Sequence, residues 1–202
     1  MSALSPMPIT LPVSEDEVRS LRINDQVLLS GVIYTARDCA HKMLVERAEN
    51  GMSPALPDLH EAVLYHCGPV VIPGDDGTWR VTAAGPTTSI REEPYMAEII
   101  RHYHIRGIIG KGGLGEKTLA ACHEVGCVYF HAVGGAAQVL ANSITRVSNV
   151  YCLAEFGVPE AIWELHVSDF PATVTMDSCW GNLHSDVRKE SETRLRELLY
   201  KT

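Results

Sequence analysis

The chain of 202 residues has no run of 18 apolar residues, so no helix written in it is suited to span a bilayer. It has no Lys/Arg block, and its 17 basic residues are outnumbered by 25 acidic ones for a net charge of −8. A nucleic-acid-binding surface needs concentrated positive charge, so that class is set aside. The six cysteines (Cys39, Cys67, Cys122, Cys127, Cys152, Cys179) include no Cys-x-x-Cys pair. Free thiols are therefore expected, and no metal ligand is assigned within the chain. The opening stretch MSALSPMPITLPVSEDEV lacks both a basic and an apolar signal region, which points to a cytoplasmic protein. There is no internal repeat and no linker long enough to divide the chain.

What is present is an ordinary globular composition, 46% hydrophobic and 21% charged. One domain over residues 1–202 is expected. Residues 1–13, with Pro6, Pro8 and Pro12, read as an extended arm, not a packed element, and 186–202 as a tail helix. Ser14 followed by Glu15, Asp16 and Glu17 marks a helix start. Val27–Thr35 reads as a strand, and a helix runs from Asp38 to about Asn50, closed by Asn50-Gly51. A proline-containing loop (53–58) leads to two strands, Ala62–His66 and Trp79–Ala84, joined by a Gly-Asp-Asp-Gly turn at 74–77.

From there the pattern alternates. Helices are expected at Pro94–His104, Glu116–Val125 and Gly135–Ser143, with short buried strands at Gly107–Ile109 and Val128–His131. Strands return at Val147–Leu153, Ala161–Val167 and Thr173–Met176. The fold class is α/β, a mixed sheet with flanking helices.

Three loops each carry a cation between a strand and a helix: Thr35-Ala36-Arg37-Asp38, Gly85–Arg91 (GPTTSIR) and Gly110-Lys111-Gly112-Gly113. Ligands of open α/β sheets bind at such strand ends. Arginine holds a carboxylate with a planar fork, and lysine adds a point charge. Gly110 and Gly112 let backbone N–H groups approach a ligand. Thr87, Thr88 and Ser89 add hydroxyls. One strand-end arginine is ordinarily a surface residue, and one Thr-Thr-Ser a turn or cap. The recurrence of three such loops is what favours a dianion site. His41, four residues after Arg37 on the same helical face, either faces that site or braces Asp38. GKGGLGEKT (110–118) approaches a P-loop, but Glu116 stands where the motif needs lysine, so nucleotide binding is disfavoured.

TARDCAH (35–41), GPTTSIR (85–91), GKGGLGEKTLAACHEVGCVYFHAVGGAA (110–137) and MDSCWGNLH (176–184) resemble the class I fumarase and L-tartrate dehydratase family, in its C-terminal or beta catalytic part. The resemblance covers roughly Val18 to Val187. It implies a swivelling β/β/α domain. It implies a hydro-lyase that uses a 4Fe-4S cluster held by three cysteines of an alpha subunit, with one iron open to act as Lewis acid. It carries over Arg37, Arg91 and Lys111 as substrate-binding residues and Thr87 as catalytic base. His41, Thr88, Gly110, Gly112 and Asn182 are candidate supporting residues. Two departures, Arg91-Glu92 where many relatives have Arg-Met and Gly113-Leu114 where many have Gly-Met, bear on substrate choice and leave the charged groups intact.

The expectation is a beta subunit of an iron-sulfur hydro-lyase, fumarate hydratase first and L-tartrate dehydratase second, active only with its alpha subunit. The rival of another class is a non-catalytic carboxylate- or phosphate-binding module.

Overall fold

The computed structural model describes residues 5–50, 56–75 and 77–200. Its elements run β1 (Met7–Thr10), α1 (Glu15–Ser20), β2 (Gln26–Thr35), α2 (Asp38–Asn50), β3 (Val63–Tyr65), β4 (Val70–Pro73) and β5 (Trp79–Ala83). A 3₁₀ turn (Ser89–Glu92) enters α3 (Glu93–Tyr103). Then follow β6 (Gly107–Gly110), α4 (Glu116–Val125), β7 (Val128–His131), α5 (Ala137–Ala141), β8 (Ile144–Tyr151), α6 (Leu153–Phe156), β9 (Ile162–Met176) and α7 (Leu183–Leu199). Gly51 and residues 53–55 of the expected loop lie outside the described residues, as does Asp76 of the expected turn. Among the described residues no helix is long and apolar enough to cross a membrane.

The main sheet has the order β1-β2-β3-β6-β7-β9-β8, and β9 also pairs with β2. Strands β2, β3, β6, β7 and β9 therefore close into a five-stranded ring. The first four of these are mutually parallel, and β9 runs antiparallel to β2 and β7. The mixed sheet with flanking helices read from the sequence is present.

Side chains alternate between two cores. Val63, Tyr65, Ile109, Val128 and Phe130 point into the ring, with Leu29, Trp163 and Phe170. Their neighbours Leu64, Ile108 and Tyr129 point outward against Leu44 of α2, Met96 and Ile99 of α3, and Ala121 of α4. Burial on both faces explains why β6 and β7 read as continuous apolar runs and not as alternating ones.

Four sequence expectations need correction. The arm is packed: β1 pairs with β2 in parallel, and Ile9, Leu11 and Val13 are buried. Their period-two spacing was masked by prolines that an edge strand tolerates. The strand at 62–66 does not form a hairpin with Trp79–Ala83. It joins β2 and β6, while β5 pairs with the exposed β4, which the sequence reading missed. The strands expected at 161–167 and 173–176 are one strand, β9. Ser168-Asp169 resembles a turn, yet it forms a bulge opposite Ser30, with Asp169 at φ 52 and its N–H donating to Ser30 Oγ at 3.0 Å, and Pro171 keeps its register with Leu28. Finally, β8 ends at Tyr151, because Cys152 turns into α6.

Candidate active site

The parallel strands end together. Thr35 is registered with Tyr65, Tyr65 with Ile109, and Gly110 with His131. Arg37 and Lys111 each follow these aligned positions by two residues, so both emerge on the same carboxyl edge of the ring. The Gly85–Arg91 loop reaches that edge as a wedge between β3 and β6. Thr87 N–H donates to the His66 carbonyl at 2.7 Å, Lys111 N–H to the Thr87 carbonyl at 3.3 Å, and Ser89 N–H to the Lys111 carbonyl at 3.0 Å. Thr88 and Lys111 form a parallel bridge. The three loops singled out by sequence thus occupy one rim.

Glycines make this wedge fit. A Cβ on Gly110 would lie 2.0 Å from Ser89 Oγ and 2.8 Å from Tyr129 Oη. Gly112 and Gly113 follow with φ of 81° and 74°, a backbone that turns Lys111 out of the strand at little cost only when side chains are absent.

The two arginines already hold carboxylates. Arg91 pairs with Asp38 in the first turn of α2. Arg37 Nε lies 3.4 Å from Glu160 Oε1, and its Nη1 reaches the Pro159 carbonyl at 3.5 Å. Lys111 is partly buried and has no ion pair among the described residues. Thr87 Oγ1 donates to the His66 carbonyl at 2.9 Å, which commits its proton and leaves the oxygen lone pairs for the rim. Asp38 and Glu160 mark where carboxylate oxygens meet the donor forks of the two guanidiniums.

Directly beneath lies a buried polar layer that the sequence reading largely missed. His66 Nδ1 is 2.8 Å from Ser89 Oγ, which is 2.7 Å from Tyr129 Oη. His41 Nδ1 is 2.9 Å from the Arg37 carbonyl, so that nitrogen carries the proton and donates. His41 and His66 pack edge to face at 4.9 Å. Burial holds His41 down to about 4 and His66 well below the usual histidine range, so both are neutral near pH 7. Glu92 Oε2 lies 3.5 Å from His41 Nδ1, and burial followed by the neighbouring Asp38 pushes the Glu92 carboxyl up to about 8. The available signal was a carboxylate placed beside Arg91 on the first turn before α3. Of the two alternatives for His41, the structure places it under the loop, bonded to Arg37's own backbone.

Asn182 caps α7, accepting from Ser185 N–H at 3.1 Å. His184, its neighbour but one, bonds Thr175 Oγ1 at 2.9 Å and abuts Gly113, where a Cβ would fall 2.3 Å from the ring.

The P-loop-like segment has no free anion hole. Glu93 accepts from Gly115 N–H at 2.7 Å, Thr118 N–H at 3.3 Å and Thr118 Oγ1 at 2.7 Å. The chain's own carboxylate already occupies the N-terminus of α4. Nor do the cysteines make a cradle for a cluster. Among the described residues no three His, Cys, Asp or Glu side chains are grouped around a metal-sized site. Cys67, Cys122 and Cys127 are buried, and burial pushes the Cys67 thiol up to about 12 and Cys127 well above its usual value, against the thiolate a metal needs.

The small mixed α/β barrel thus gathers two arginines, a lysine and a threonine on one rim. Comparison with known proteins gives the family: the profile described as fumarase C-terminus matches residues 5–187, and the chain belongs to that family. A protein provisionally named fumarate hydratase class I from Geobacillus stearothermophilus is 48% identical over 186 residues, 92% of this chain. The chain spans only 35% of that relative's length. A protein provisionally named L(+)-tartrate dehydratase subunit beta from Methanocaldococcus jannaschii is 41% identical over 93% of this chain and 95% of the relative. The L(+)-tartrate dehydratase subunit beta of Escherichia coli K12 is 30% identical over 90% of this chain and 88% of the relative.

Proposed function

We propose that the chain is the beta subunit of an iron-sulfur hydro-lyase that adds water to, or removes it from, a four-carbon dicarboxylate, and that the substrate pair is fumarate and malate. The observation that carries this reading is the convergence of Arg37, Thr87, Arg91 and Lys111 on the carboxyl edge of one barrel. A dicarboxylate needs two separated cationic grips. Arg37 and Arg91, each now pairing with an internal carboxylate, suit that task. Each hydrogen bond to a charged group contributes about 1.5–3 kcal/mol net, enough to exchange an internal carboxylate for a substrate one.

In the dehydration direction, the Thr87 oxygen takes the proton from the carbon next to a carboxylate, that electron pair forms the double bond, and the hydroxyl on the adjacent carbon leaves as water with a proton drawn from solvent. A threonine does this only as its alkoxide or through a relay. The nearby cations of Lys111 and the arginines lower the cost of negative charge on that oxygen. The cluster is assigned to the alpha subunit, because this chain's donor set does not fit one, and no step assigned to these residues runs through it.

A second reading, tartrate as substrate, is favoured by one specific observation: the relatives whose full length the chain matches are named as tartrate dehydratase beta subunits. The test is anaerobic reconstitution with an alpha-type partner and a substrate panel. The pair should hydrate fumarate, and the purified chain alone should be inactive. Hydratase activity of the chain alone sinks the two-subunit reading, and faster turnover of tartrate than of malate moves the assignment to the second substrate.

A further inference from the structure

Glu92 is 2% exposed, yet it immediately follows Arg91, whose side chain is 56% exposed. Its carboxyl faces His41 and Asp38 from α2. Arg91 on its own turn and Glu160 from the segment before β9 complete the charged surroundings, while Glu93 is turned away to cap α4. Asp38 therefore stands between two groups: it is near enough to the Glu92 carboxyl to push it up, and it holds Arg91.

We propose that Glu92 is a positioning residue for the substrate grip: wedged between His41 and Asp38, its carboxyl fixes Asp38 across the Arg91 guanidinium and governs how readily that guanidinium is given up to a substrate carboxylate. This rests on the dicarboxylate reading above. While Glu92 carries its proton, it donates to Asp38 and uses part of that carboxylate's capacity, so Asp38 holds Arg91 loosely. Once Glu92 ionises, two carboxylates stand beside one guanidinium and compete with the substrate for it. Burial and Asp38 place that ionisation at about 8.

The experiment measures KM and kcat for fumarate from about pH 7 to about pH 9 in the reconstituted enzyme, for wild type and Glu92→Gln. In the wild type, KM should rise about tenfold at one pH unit above the carboxyl's midpoint, with a much smaller change in kcat. Glu92→Gln, which keeps a donor but cannot ionise, should abolish the rise. A wild-type enzyme that turns over while Glu92→Gln retains the same rise overturns the inference and leaves the function standing. Absence of turnover on any dicarboxylate overturns the function. The link between Glu92 and Arg91 is then decided by the ¹⁵N guanidinium signal of Arg91 in the full chain. A titration near pH 8 that vanishes in Glu92→Gln supports it, and a flat Arg91 signal in the wild type refutes it.

Discussion

Two arginine sites at opposite ends of the same strands are built on opposite principles. Arg106 stands just before β6, is 4% exposed, and is held from four sides. Its Nη1 donates to the Val125 and Gly126 carbonyls at 2.5 and 3.2 Å, and its Nη2 lies 3.0 Å from Glu61 and 3.1 Å from Glu15. Arg91, at the other end of the barrel, has one carboxylate partner among the described residues and is more than half exposed. Arg37 has one long ion pair and one long bond to a carbonyl. The chain spends its own acceptors where an arginine ties α1, α4 and β6 together. It leaves the Arg91 guanidinium more than half exposed at the rim.

The largest expected effect comes from the tied site. Arg106→Met leaves the Val125 and Gly126 carbonyls without their donor and releases two solvent-exposed carboxylates, and should cost about 1–3 kcal/mol in denaturant unfolding. Arg91→Met, by contrast, should change stability by less than about 0.5 kcal/mol, and equal losses at the two sites break the contrast. Next in size, Arg91→Lys in the reconstituted enzyme removes the planar fork, and KM should rise about tenfold with stability untouched. An unchanged KM means that Arg91 faces something other than substrate.

A pH-dependent effect concerns the buried layer. Folded Glu92 keeps its proton up to about pH 8, whereas the unfolded carboxyl loses it near its ordinary value of 4.5. Between those values the folded state binds more protons, so stability falls as pH rises through the window and levels off above it. Glu92→Gln should remove that fall, raising the melting temperature at pH 7.5 relative to wild type and giving little difference near pH 4.5. A melting-temperature difference of the same size at both pH values contradicts the burial of an ionisable proton there. Smallest of all, Asp38→Asn loosens the hold on Arg91. An exposed ion pair is worth about 0–1 kcal/mol, so fumarate KM should drop by at most about fivefold, as read from initial rates.

How far the sequence revealed this arrangement depends on range. The three rim loops were legible because each is a local pattern of a strand end, a cation and then a helix start, with glycines in two of the three. The helices α3 and α4 were legible from their periodicity and their boundaries. What stayed hidden were relations between distant residues. Nothing local says that β9 closes the ring onto β2, or that β3 leaves its expected hairpin partner for β2 and β6. Ile9, Leu11 and Val13 looked like a loose arm because three prolines outweighed a short alternation. Glu92 looked like a departure at a supporting position; only the fold shows its carboxyl lodged against His41 and Asp38. His66 lies in no quoted motif and Tyr129 was not singled out within its own; they meet Ser89 where Gly110 leaves room for it.

The most direct measurement is fumarate turnover by the reconstituted pair carrying Thr87→Ala. The side chain removed is small and partly buried, and its one hydrogen bond is to the His66 carbonyl, so the rim should keep its shape. Turnover should fall on the order of 10²–10⁴-fold, as for loss of a general base, while fumarate still binds. Wild-type turnover in that variant contradicts the assignment of Thr87 as base and favours a module that only binds.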